Sequence, residues 1–142
     1  MLNEHQKKKV SITMESLEEE LLNIEQHLKG DDYVGALYEL KNDVPLPIRK
    51  MLMTEITSIK EKIGNLADRF SLDSTGPKRL SQEIIGVLSI LWVSLDEIKA
   101  KRLRAYGEVD GGLEEALDPE LELMIQQILT MHHVVDEIRQ KG

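Results

Sequence analysis

Cysteine is absent from the 142-residue chain, which excludes a disulfide framework, a thiolate zinc site and a cysteine nucleophile. Aromatic residues make up 4%, with Trp92 and Phe70 the only ones of their kinds, so the core must come from Leu, Ile, Val and Met, side chains suited to helix-on-helix packing. Cationic charge is also scarce: 18 Lys and Arg stand against 26 Asp and Glu, a formal charge of −8. Nucleic-acid affinity rests on cations neutralising phosphates, and the one basic run, Lys7-Lys8-Lys9, is too brief to supply it. No nucleic acid is expected as a partner. No apolar run reaches the roughly 18 residues that a membrane span requires, and residues 1–9 are polar and lead into no apolar stretch of a secretory signal. A cytoplasmic location is therefore expected. The length suits a single domain over 1–142, with 1–9 as a polar, partly ordered N-terminal segment.

What the chain has in quantity is helical periodicity. Val10, Met14, Leu17, Leu21, Ile24 and Leu28 alternate steps of four and three, placing them on one stripe of a helix over 10–29. Gly30 is expected to end it in the left-handed conformation, with Asp31 or Asp32 capping the next element. Tyr33, Ala36, Leu37 and Leu40 predict a short second helix over 33–41, ended by Val44-Pro45-Leu46-Pro47. Pro47 suits the first turn of a long helix, whose stripe is Ile48, Leu52, Ile56, Ile59, Ile63, Leu66 and Phe70. After a loop over 71–77, a third long helix is expected over 78–106, stopped by Gly107. Asp118-Pro119-Glu120 then reads as an N-cap, a first-turn proline and an acidic first turn, opening a final helix with Leu121, Met124, Ile125, Ile128, Met131, Val135 and Ile138 on its apolar face. The fold class this predicts is all-α: an antiparallel four-helix bundle with one additional short helix between the first and second long helices.

Residues 84–95 (IIGVLSILWVSL) carry no charge. Leu80, Ile84, Val87, Leu88, Leu91, Leu95 and Ile98 are expected on the core side of the third helix, leaving Gly86, Ile90 and Val93 as an apolar patch on its back. Leu123 and Val134 lie off the main face of the last helix, and Trp92 borders the patch as an anchor. A bundle has nothing of its own to cover that side, and exposed aliphatic surface is unfavourable unless another surface covers it. The expected interface is thus Gly86, Ile90, Val93, Trp92, Leu123 and Val134, and the expected partner is a second copy in a two-fold homodimer, or a helical protein.

Candidate chemistry is sparse. His132, with Asp136 one turn on, has the spacing of an oriented metal ligand or proton shuttle, and equally that of a core histidine satisfied by its neighbour. None of His5, His27, His132 and His133 follows a Glu by three residues, the spacing of helical di-iron sites. The acidic run Glu15, Glu18, Glu19, Glu20 and Glu25 has no Glu-x-x-Asp partner in the third helix, so it reads as a solvated face. Lys78 and Arg79 could hold an anion at the start of that helix or be surface charges. No catalytic residue, metal or cofactor is predicted.

Two local resemblances remain. Gly30-Asp31-Asp32-Tyr33-Val34-Gly35-Ala36-Leu37-Tyr38-Glu39-Leu40 resembles the turn and second helix of a tetratricopeptide unit, with one extra Asp, which implies a tight helical corner. His27-Leu28-Lys29-Gly30 resembles the His-x-x-Lys-Gly of histidine phosphotransfer domains, with Lys and Gly one residue early. That likeness implies an exposed phosphoacceptor at His27 on a four-helix bundle. The sequence therefore supports a noncatalytic, self-associating helical interaction module. Signalling through His27, and a small-molecule or metal site around His132 and Asp136, stand as alternatives.

Overall fold

A computed structural model describes all residues, Met1–Gly142. Helices account for 73% of them and strands for 3%, so the chain is all-α, as expected. It divides into two compact units, Met1–Gly76 and Pro77–Gly142, each built on a pair of antiparallel helices.

In the first unit, α1 (Glu4–Lys29) pairs with α2 (Leu46–Phe70). α1 starts six residues earlier than the stripe suggests because Asn3 and Gln6 form a capping box: Asn3 Oδ1 accepts from the Gln6 N–H at 2.8 Å, and Gln6 Oε1 accepts from the Asn3 N–H at 2.9 Å. Two donors that would otherwise be orphaned are thereby satisfied. Leu21, Leu28, Ile56 and Ile63 form the buried seam, with Met14, Leu52, Met53 and Ile59 packed around it. Pro47 sits in the first turn of α2, as its spacing predicts. Ser71 closes α2 in the left-handed region, φ 52°. Glu15 then accepts from both the backbone N–H and the hydroxyl of Thr75, at 2.8 and 2.9 Å, holding the loop after α2 against α1.

The connection between these helices is not the helix expected over 33–41. Strands β1 (Tyr33–Val34) and β2 (Glu39–Leu40) pair antiparallel, with Tyr33 opposite Leu40 and Val34 opposite Glu39. The cause lies outside the segment. Asn42 donates from its side chain to the carbonyls of Gly30 (3.0 Å) and Leu28 (3.4 Å), and its backbone N–H donates to Asp32 Oδ1 at 2.8 Å. These bonds satisfy the end of α1 and pin residues 30 to 42 base to base. Gly30 consequently leaves α1 extended, at φ −79° and ψ 153°, and not in the left-handed conformation.

In the second unit, α3 (Leu80–Asp96) is followed by a break, a single turn α4 (Ala100–Leu103), a 3-10 turn Arg104–Tyr106, and α5 (Leu113–Lys141). Gly107 stops the run as expected, at φ 147°. Two boundaries differ from expectation and share a cause. Asp118 does not cap its own helix. It reaches across to accept from the Ala100 N–H at 2.8 Å, capping α4. The long helix expected over 78–106 is thus interrupted at 97–99, letting Ala100 bury to 2% exposure against α5. Freed from the capping role, the Asp118-Pro119 pair lies inside α5, which begins at Leu113; Leu113 and Leu117 extend its half-buried face by more than a turn. Lys99 secures the break by bridging Glu122 at 2.9 Å and Asp96 at 3.2 Å.

Candidate functional site

A two-helix hairpin has one inner seam, so each helix can bury only the stripe that meets its neighbour. Arg79 donates to the Gly142 carbonyl at 3.1 Å and Ala100 donates to Asp118, so the start of α3 meets the end of α5 and the reverse. On α3 the buried or half-buried residues are Ser81, Ile85, Leu88, Ser89, Trp92, Leu95 and Asp96. On α5 they are Leu113, Leu117, Asp118, Leu121, Ile125, Ile128, His132, Val135 and Asp136. The seam of α3 is therefore rotated from the one read in the sequence. Leu88 and Leu95 lie on it as expected, whereas Leu80, Ile84, Val87, Leu91 and Ile98 are exposed, Leu80 at 73%.

This rotation creates a surface. At 3.6 residues per turn, Leu80, Ile84, Val87 and Leu91 lie about 110° round α3 from the centre of its seam, and Met124, Met131 and Ile138 lie about 80° round α5 from the centre of its own. Both offsets run in the same angular sense, and the helices are antiparallel, so both stripes face the same side of the hairpin. All seven side chains are exposed. The four-three spacing on α3 and the seven-residue spacing on α5 match what a further helical layer requires.

The residues expected at the interface are distributed differently. Ile90 (68% exposed), Val93 and Gly86 lie on the outer side of α3, away from the seven-residue face, and Gly86 has open space where a Cβ would stand. Leu123 and Val134 are exposed on the far side of α5. The two groups point away from each other. Trp92 is half-buried in the seam.

The histidines make no constellation. His132 is half-buried, and no hydrogen bond joins it to Asp136, whose carboxylate accepts from Arg139 (2.9 Å) and Gln140 (3.1 Å). His133 pairs with Glu137 at 3.2 Å on the exposed side. His27 is exposed in the last turn of α1, which ends at Lys29. No group of three or more His, Asp or Glu side chains is placed to hold a metal ion, and no helix is long and apolar enough to cross a membrane.

The electrostatic features that sequence spacing did not reveal are interhelical. Lys60 reaches across the first hairpin to Glu25 at 2.9 Å; its hydrogen bond holds the Glu25 carboxyl below the usual carboxylate range. In the second hairpin the Lys99 hydrogen bond, followed by that from Gln126, lowers Glu122. Glu122 and then Asp96 raise Lys99 above an ordinary lysine. Each pair links the two helices of its hairpin.

Compared with protein-family models, curated proteins and solved structures, the chain matches none.

Proposed function

We propose that the protein is a noncatalytic helical interaction module that self-associates through the α3–α5 face of its second unit. The observation that carries this reading is the coincidence of two exposed aliphatic stripes on one side of one hairpin. From their fractional exposures, Leu80, Ile84, Val87, Leu91, Met124, Met131 and Ile138 present on the order of 700 Å² of surface, close to the ~800 Å² per partner of a standard stable interface. The occupant is a second copy. Two such hairpins face to face complete an antiparallel four-helix layer, and the same patch then serves both protomers, as a two-fold contact demands.

Light scattering after gel filtration at micromolar concentration tests this. The expected mass is about twice the 16.2 kDa of one chain. Val87→Glu puts a carboxylate in the centre of the face and should yield a monomer with unchanged helical circular dichroism. Val93→Glu, on the other side of α3, should remain dimeric. A monomeric wild type overturns the proposal, and so does dissociation by Val93→Glu with Val87→Glu unaffected.

A further inference from the structure

The hairpin over 33–40 is a second, separate surface. Antiparallel helices in bundles are usually joined by about 2–8 residues, and long connections between packed helices are commonly functional. Here the chain runs from Gly30 to Pro45 before α2 begins. The extra length builds a display. Tyr33, Tyr38 and Leu40 share one face of the ladder, since Tyr33 pairs with Leu40 and Tyr38 lies two residues before it. The two tyrosine rings stand 6.1 Å apart. Leu37 is at the tip and 102% exposed, so its side chain contributes nothing to folding.

The display is held in one shape. A Cβ on Gly35 would meet the Tyr33 ring at 2.9 Å and the Tyr38 carbonyl at 3.0 Å, so ring and backbone close onto the glycine. The Gly35 N–H donates to that same carbonyl at 2.8 Å. Asn42 clamps the base to α1 as described. An isolated two-stranded hairpin is marginal in water, so these ties keep aromatic and aliphatic groups outside the core in a fixed arrangement. That lowers the ordering entropy lost when something binds them. Charge states what binds. Beside the hairpin's base stand the exposed carboxylates Asp31, Asp32 and Asp43, against the single cation Lys41 over 31–43, while Glu39, opposite Val34, lies on the ladder's other face. A basic rim fits, and an acidic one is repelled.

We infer that the 33–40 hairpin docks, through Tyr33, Leu37, Tyr38 and Leu40, onto a partner protein surface that is aliphatic at its centre and rimmed by lysine or arginine. The inference is independent of the α3–α5 face. It is tested by titrating the full-length protein, ¹⁵N-labelled, with an amphipathic helical peptide of leucine and lysine, and separately with its leucine–glutamate counterpart. The expected result is saturable amide shifts over 33–40 with the lysine peptide alone, weakened by high salt. Leu37→Asp should weaken that binding at least tenfold, and the side chain's full exposure leaves the fold unaffected. Val87→Glu should leave it unchanged. Absence of shifts over 33–40, equal shifts with both peptides, or insensitivity to Leu37→Asp overturns the inference.

Discussion

Replacing Asp118 with alanine should destabilise the second unit without touching any exposed face. Asp118 Oδ1 is the acceptor for the Ala100 N–H, the first donor of the turn after the break, and Ala100 is nearly fully buried. Loss of a capping side chain costs about 0.5–2 kcal/mol. A donor left without a partner in a largely dry site costs about 1–3 kcal/mol. The two describe the same bond, so the expected loss is about 1–2 kcal/mol. Urea unfolding at fixed protein concentration reads it as a lower midpoint at unchanged slope. For a cooperative unit of 60–100 residues, each 1 kcal/mol corresponds to about 4–8 °C of melting temperature. Asp118→Asn keeps an acceptor oxygen at the same place and should recover most of the loss. The reasoning fails if Asp118→Ala unfolds with the wild type, or if Asn is no better than Ala. In either case Asp118 is not the cap, and another cause must be found for the interruption of α3.

Acid should weaken both hairpins through their interhelical pairs. Glu25 and Glu122 have lowered pKa values, so their contribution is full above the ordinary carboxylate range and is lost as pH falls through their depressed values. Lys99 is raised, so its contribution is present below the usual lysine value and lost only as pH climbs through the higher one. Urea midpoints measured against pH should fall on the acid side less steeply for Glu122→Gln than for wild type; parallel curves would refute the pairing. Ile56→Ala, at a position 5% exposed in the α1–α2 seam, should cost about 2–5 kcal/mol in chemical denaturation. Gly35→Ala should disturb the paired Tyr33 and Tyr38 rings, seen as altered near-ultraviolet circular dichroism, while leaving the helical signal intact.

The four long helices are legible because steps of three and four recur over several turns and proline marks the start of α2. Three features are not. The uncharged run 84–95 gives α3 no phase: with apolar residues all round, nothing local says which stripe meets α5, and spacing alone favours Leu80, Ile84, Val87 and Leu91 over the Ser81, Ile85 and Trp92 that occupy the seam. The interruption at 97–99 has no Gly or Pro to announce it. Its cause is the side chain of Asp118, 18 residues beyond Ala100, which resembles a cap for its own helix. The hairpin imitates a helix because Tyr33, Ala36, Leu37 and Leu40 fall at helical spacing, while Asn42, beyond the segment, supplies the bonds that decide otherwise. Lys60 shows the same difficulty on a smaller scale, since its partner Glu25 lies on another helix. Local pattern located the long helices, while contacts distant in sequence set the end of α3 and the kind of element over 33–40.

The most direct measurement is an isotope-filtered nuclear Overhauser experiment on mixed dimers in which one copy carries ¹³C-labelled methionine methyls and the other is unlabelled. Cross-peaks from the Met124 and Met131 methyls to leucine, isoleucine or valine protons of the other copy are predicted, disappearing in Val87→Glu. Silence at both methionines in a sample of confirmed dimeric mass would contradict association through the α3–α5 face.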